Sequence, residues 1–367
     1  MTELMQRAGV FTAVPNAMAR MNGALNLARL SFEKAPAPVA PSPASVIHLE
    51  GAARLVRYEP FPGVSSKDPI LLCPSLINRL YVLDLKEGIS VVEVLRKAGH
   101  RVYGIDWGDP SPAEHGVSFE GFVERLARFV DAACSDARTP KIHLLGHCLG
   151  GTLATALCAV DDSRVQSLIN LTAPIAFHDS GLLSKWTRAP FFDPEAVVNA
   201  VGHVPAWLTQ PAFQILKPMG QAAKALRLFQ NLDDPKFLEF FRCLETWIND
   251  NVAIPDRFFV DLVDTLYKKN ALVEGGIVFT KFKPGPVRLE NVIVPLLTIA
   301  AEQDHIVPHK SATAAQERFG SKVKRVELLP GGHIGVVVGG LARRRLWPTL
   351  LEWMSQHPVN RALEVVQ

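Results

Sequence analysis

The stretch Ile142-His143-Leu144-Leu145-Gly146-His147-Cys148-Leu149-Gly150-Gly151-Thr152 constrains this chain more than any other. Mostly apolar residues run into Gly-His-Cys-Leu-Gly-Gly, and a helix-forming stretch from Leu153 to Val160 follows. Strand, sharp turn and helix in that order form the pattern of a nucleophile elbow, Gly-x-nucleophile-x-Gly, with cysteine where serine is usual. A nucleophile held on a strained turn leaves no room for side chains two positions away, a demand that Gly146 and Gly150 meet. The same residues would also suit a buried cysteine in a glycine-rich turn, because free cysteine is among the most buried residue types. Partners further along the chain decide between these readings.

Short apolar runs alternate with helical periods on both sides of the elbow. Leu55 to Tyr58 and Pro69 to Cys73 read as strands, Val91 to Ala98 as a helix ended by Gly99, and His100 to Ile105 as a strand. Phe119 to Cys134 is a helix with one apolar face, and Val165 to Leu171 is the strand after the elbow helix. Buried parallel strands have this look. From about Pro174 to Leu289 the rhythm stops in a segment rich in aromatics and prolines, with helix-like pieces at Phe237 to Ile248 and Phe258 to Lys269. It resumes with a strand at Val294 to Ala300, a helix near Ser311 to Arg318, a strand at Val323 to Leu328 and a helix from Arg343 to Ser355. The expected architecture is an α/β-hydrolase fold, a mostly parallel sheet with helices on both faces. Its core occupies 46–173 and 290–367, and a helical lid is inserted over 174–289. Residues 1–45 hold a basic amphipathic helix, to about residue 33, and then a proline-rich linker.

Composition narrows the function classes. A formal charge of +3 on 367 residues gives no electrostatic case for nucleic acid. Five cysteines without a close pair argue against a zinc site and a disulfide framework, and favour a reduced, cytoplasmic setting. No apolar run reaches the ~20 residues of a membrane span, and the N-terminus lacks a signal-peptide pattern.

If Cys148 is a nucleophile, chain order on this fold predicts an acid and then a histidine on loops after later strands. Asp304 follows the strand ending near Ala300, and His333 follows the one ending near Leu328. A free thiol is only a few per cent ionised at neutral pH, so His333 would take its proton. Asp304 would orient the imidazole, hydrogen-bond the substrate, or both. Backbone N–H groups of Leu149 and Ile77 are the expected oxyanion hole, with Leu76 the neighbouring choice for the second. No metal is expected: His305 and His309 are four apart, but Pro308 breaks the helix such a pair needs. Arg343-Arg344-Arg345 reads as a solvated helix face, and Asp106 precedes Cys148, the wrong order for the triad acid.

Several separated segments, from about residue 50 onward, resemble polyhydroxyalkanoate synthases. They are Pro74-Ser75-Leu76-Ile77-Asn78-Arg79-Leu80-Tyr81-Val82-Leu83-Asp84-Leu85, Ile105-Asp106-Trp107-Gly108, the cysteine box Gly146 to Gly151, Asp304-His305-Ile306-Val307-Pro308 and Gly332-His333-Ile334-Gly335. Within the insertion, Glu245-Thr246-Trp247-Ile248-Asn249-Asp250 and Leu266-Tyr267-Lys268-Lys269-Asn270 are similar to that family too. The resemblance implies that an (R)-3-hydroxyacyl-CoA acylates Cys148 with loss of CoA, and that a 3-hydroxyl then takes the acyl group to extend a polyester. His333 is implied as general base, and Asp304 as the group that activates the hydroxyl or orients the ring. The CoA thioester is the substrate and no cofactor is implied. About 45 residues precede the core, as in the short two-component synthases, although His147-Cys148-Leu149 differs from their elbow. That length implies a second synthase subunit as partner, beside self-association as a dimer and a cytoplasmic place at the surface of polyester granules. A thioesterase or intracellular depolymerase on the same fold is the alternative, and an inactive granule-associated paralogue the third.

Overall fold

The computed structural model describes residues 36–179, 181–216 and 220–359. Strands β1 (Ala44–Glu50), β2 (Ala53–Tyr58), β3 (Pro69–Cys73), β4 (Arg101–Asp106), β5 (Ile142–His147), β6 (Val165–Leu171), β7 (Leu296–Ala301) and β8 (Lys324–Leu329) form one sheet. Their spatial order is β1-β2-β4-β3-β5-β6-β7-β8. β1 and β4 pair antiparallel with β2, and every other neighbouring pair is parallel.

β3, β5 and β7 are buried along their whole length, as strands covered on both faces must be. Successive residues serve opposite faces. Leu71 and Leu144 pack towards helices α2 (Phe119–Ala137) and α3 (Leu149–Val160). Ile70, Leu72 and Leu145 pack on the other side with α1 (Val91–Lys97). In α2, Phe119, Phe122, Val123, Leu126, Phe129 and Val130 follow the helical repeat and are all buried, each contributing about 1.5–3 kcal/mol through lost apolar surface. The Ser118 side chain caps its start by accepting from Gly121 N.

Between β6 and β7 the chain forms α4 (Leu182–Thr187), α5 (Pro194–Val201), α6 (Ala206–Ile215), α7 (Gly220–Gln230), α8 (Pro235–Asn249) and α9 (Asp256–Asp261). α5 and α8 both begin with Asp-Pro. Asp193 and Asp234 accept the first free N–H groups, and the proline sits where its missing N–H costs nothing. α9 does not continue as an α-helix to Lys269; it passes into a π-helical turn over Leu262–Lys268. After β8 the last helix likewise starts with a π turn, Ala342–Leu346, and becomes α10 (Trp347–Gln356) at the proline Pro348. The helix expected near 311–318 is a short α segment at His309–Thr313 and a separate 3-10 turn at Gln316–Arg318.

Two further differences concern the start of the described chain. The proline-rich segment is docked on the core: Ser42 N and Oγ donate to the Asp84 carboxylate at 3.0 Å each. It then runs straight into β1, two residues before the expected core boundary. β1 carries no fully buried residue, with Val46 and Leu49 exposed, and it is held by its backbone ladder to β2 together with Ile47 on the core and the His48 ring against Phe129. The amphipathic helix expected over residues 1 to about 33 lies outside the described residues.

Candidate active site

Cys148 stands between β5 and α3 with φ 53° and ψ −131°, a conformation L side chains rarely adopt. The flanking glycines make it attainable. A Cβ on Gly150 would lie 2.0 Å from the Cys73 carbonyl oxygen, and one on Gly146 would lie 2.3 Å from Gly151 Cα. Both obstacles are backbone, so neither can move aside cheaply.

The loops after β7 and β8 bring Asp304 and His333 to this elbow. Asp304 Oδ2 accepts from His333 Nδ1 at 2.7 Å, while Oδ1 accepts from Ile306 N at 2.9 Å and Val307 N at 2.8 Å. Both oxygens are therefore held, and the carboxylate side chain is fully buried. With Nδ1 engaged, the other ring nitrogen is free to serve Cys148, whose charge acts on this ring. Burial opposes a charge on this ring, but the charges of Cys148 and Asp304 and their hydrogen bonds outweigh it and lift the imidazole to about 10.

A second imidazole was not legible as part of this group. His147, immediately before the nucleophile, is buried with its ring centroid 5.4 Å from that of His333. Burial and the charge of His333 push it down to about 3, so it is neutral, and its Nε2 has no partner among the described residues. The x of a Gly-x-Cys motif carries no signal that would single it out.

The loop after β3 supplies Ile77, which faces the same space as Cys148. Its N–H makes only a long 3.4 Å contact with Ser75 Oγ, and Leu149 N–H lies in the unbonded first turn of α3. Leu76 turns away into a small crevice beside Trp107 and Phe122. The sequence segments around this loop hold it from two sides. Trp107 Nε1 donates to Pro74 O at 3.0 Å. From α8, Trp247 Nε1 donates to Arg79 O at 3.0 Å, and Asp250 accepts from Arg79 Nε at 3.0 Å and Tyr81 Oη at 2.9 Å. Asn78 Nδ2 reaches Asn251 Oδ1 at 2.8 Å, and Ile77 O accepts from Val252 N at 3.1 Å. Asp106 serves its own turn, accepting from Gly108 N at 3.1 Å.

Two cavities of about 290 Å³ each meet at Cys148, sharing Ile77, Phe213 and Ile306. One is walled almost wholly by apolar side chains, including Leu149, Phe192, Val197, Phe259, Val263 and Tyr267. The other adds polar groups from Asn78, Gln210, Lys224, Glu245 and Asn251, and reaches His333. Away from them, His115, His203 and Asp256 tie the helical insertion to the loop after β4. His115 Nδ1 meets Asp256 Oδ2 at 2.8 Å and His203 Nε2 donates to Ser111 O at 3.0 Å. The two rings stack at 4.2 Å, so their in-plane lone pairs cannot converge on one ion without rotation.

The alpha/beta hydrolase fold model matches residues 68–339, and the model for the N-terminus of poly-beta-hydroxybutyrate polymerase (PhaC) matches residues 17–95. The poly(3-hydroxyalkanoate) polymerase subunit PhaC of Thiocystis violacea is 30% identical over 319 residues, covering 86% of this chain and 88% of that one. The chain belongs to the PhaC family of poly(3-hydroxyalkanoate) polymerases, which are acyltransferases. The PhaC subunit of Synechocystis sp. is also 30% identical, with 86% and 85% covered. Against the Haloferax mediterranei PhaC subunit, again 30% identical, the chain spans 65% of the relative's length. Among solved structures, epoxide hydrolase A from Mycobacterium thermoresistibile aligns with a TM-score of 0.53 at 16% identity, over 86% of this chain and 100% of that one, a likeness of fold. No described helix of this PhaC homologue is long and apolar enough to cross a membrane.

Proposed function

We propose that this PhaC homologue polymerises (R)-3-hydroxyacyl-CoA through an acyl-enzyme on Cys148. The observation that carries the reading is Cys148 beside the hydrogen-bonded His333–Asp304 pair, at the junction of two cavities, one apolar and one with polar groups in its wall. The Cys148 sulfur, paired with the His333 imidazolium, attacks the thioester carbonyl. Leu149 and Ile77 N–H groups stabilise the tetrahedral oxyanion. The CoA sulfur then leaves and takes the proton from His333. The ring, now neutral, removes the proton of an incoming 3-hydroxyl; that oxygen attacks the Cys148 thioester, the ester forms, and the sulfur and imidazolium are restored. Asp304 holds the ring's Nδ1 throughout, which keeps the other nitrogen facing the reaction.

The polar cavity suits the amides of the pantetheine arm, and the apolar one suits acyl and polyester groups. Apolar walls also limit water, the competing acyl acceptor, and so favour ester synthesis over hydrolysis. The insertion exposes Phe191, Trp207 and Phe229, large apolar side chains that suit contact with a second copy, a second subunit or the polyester granule. On this proposal the protein works in the cytoplasm at such granules, with a CoA thioester as substrate and no cofactor.

Incubation of purified protein with 3-hydroxybutyryl-CoA, following free CoA and the fate of the acyl group, tests the proposal. Polymer supports it, and free hydroxy acid would make the protein a hydrolase. Full CoA release by Cys148→Ala would refute the acyl-enzyme.

A further inference from the structure

The segment Leu266-Tyr267-Lys268-Lys269-Asn270 has no part in the triad or the oxyanion loop, yet it is built with care. Tyr267 sits in the π-helical turn Leu262–Lys268, a geometry that recurs at functional sites. Two residues past the turn stands Asn270, whose backbone is left-handed at φ 50°. Asn270 Oδ1 accepts from Phe177 N at 2.8 Å, and the Phe177 ring meets Tyr267 edge-on at 5.0 Å and 81°. The phenol is thus fixed from below by the segment that leaves β6, and it lines the apolar cavity together with Cys148.

Its hydroxyl is out of place in that wall. Thr187 and Thr209 also line the cavity, but their hydroxyls are taken by the Leu183 and Ala206 carbonyls at 2.7 Å and 3.3 Å. No described hydrogen bond of the kind that ties the two threonines holds the Tyr267 hydroxyl, and it is not among the polar atoms sealed off from the cavity space. Burial, and then the charges of Cys148 and Asp179, push the phenol up, so it stays a neutral O–H that can donate beside the nucleophile. A ligand hydroxyl in the same cavity would give it a hydrogen-bond partner.

The acyl group proposed for Cys148 brings one polar atom into this cavity, its 3-hydroxyl. We infer that Tyr267 is a specificity-determining residue that hydrogen-bonds the 3-hydroxyl of the acyl group at Cys148, selecting 3-hydroxyacyl over plain acyl thioesters. The inference rests on the acyl-enzyme reading above. A site that pairs a substrate hydroxyl discriminates strongly against the analogue lacking it, because its own polar group is left unpaired.

The test compares wild type with Tyr267→Phe, which keeps the ring and its contact with Phe177. CoA release and the mass of the acylated protein are measured in single turnovers with 3-hydroxybutyryl-CoA and with butyryl-CoA. Wild type should prefer the hydroxylated thioester by about tenfold or more, and Tyr267→Phe should bring the ratio to within about threefold by slowing the hydroxylated substrate alone. A purely structural wall residue would slow both substrates equally. An unchanged ratio in Tyr267→Phe, an equal loss on both substrates, or no preference in wild type overturns the inference while leaving the acyl-enzyme standing. Absence of CoA release and of acylation in wild type overturns both.

Discussion

Asp304→Asn isolates what the buried carboxylate does for His333. Oδ1 is held by Ile306 N and Val307 N, and an asparagine carbonyl can keep both bonds, so the loop after β7 should hold. The amide nitrogen would then face His333 Nδ1, a donor against a donor where a 2.7 Å hydrogen bond stood. The ring must give up that bond or move its proton to the nitrogen that faces Cys148. The rise of His333 from 6.5 to about 10 corresponds to roughly 5 kcal/mol of net stabilisation of the imidazolium, shared between Cys148 and Asp304. Losing the Asp304 charge removes part of that support, and the wrong tautomer adds to the loss. The expected fall in CoA release is therefore about 10²- to 10⁴-fold, the upper figure being that of the same change in a serine-protease triad. The pH profile carries an independent sign. A raised pKa keeps the proton on the ring to higher pH, so wild-type acylation should persist until it falls as pH rises through about 10, and this limb should move to lower pH in Asp304→Asn. The assay is CoA release against pH, with circular dichroism to show the fold intact. Activity within threefold of wild type on an unmoved alkaline limb would refute the reasoning.

Three further outcomes are expected. Gly150→Ala puts a Cβ 2.0 Å from the Cys73 carbonyl oxygen; it should cost upwards of about 2 kcal/mol and most of the activity, and a variant with wild-type melting temperature and turnover would show the elbow to be looser than described. Cys148→Ser keeps the buried shape but replaces the sulfur that pairs with His333; CoA release should drop more than about 100-fold, with no acyl adduct in the intact mass. Arg79→Ala removes the bonds to Asp250 at 3.0 Å and Asp109 at 2.8 Å, charge-assisted bonds of about 1.5–3 kcal/mol each where well formed, less at the exposed Asp109. It should loosen α8 from the oxyanion loop, read as faster limited proteolysis between α6 and α9 and a KM that rises more than kcat falls.

Legibility in the sequence followed the range of the forces involved. The elbow was readable because its sterics are local: Gly146, Cys148 and Gly150 lie within one turn, and the positive φ of Cys148 demands small neighbours wherever the fold puts them. β3, β5 and β7 were readable because burial on both faces writes itself as continuous apolar runs. β1 was not, since Val46 and Leu49 face solvent and a backbone ladder leaves no side-chain pattern. The π turn at Leu262–Lys268 is indistinguishable from plain helix in the sequence, because one inserted residue per turn changes hydrogen bonding while barely disturbing the apolar period.

By itself the sequence determined the fold class, the identity of the cysteine on the elbow, and the order in which an aspartate and a histidine follow later strands. Those are properties of short segments and of chain order, which the parallel sheet converts into neighbours at its C-terminal edge. Only the tertiary structure decided that Asp304 Oδ2 lies 2.7 Å from His333 Nδ1, that neutral His147 shares the space beside that ring, that α8 grips the loop carrying Ile77, and that a polar and an apolar cavity meet at Cys148. These are contacts between residues far apart in the chain. Their charges and cavities arise from what packs around each group, and no spacing along the chain encodes that.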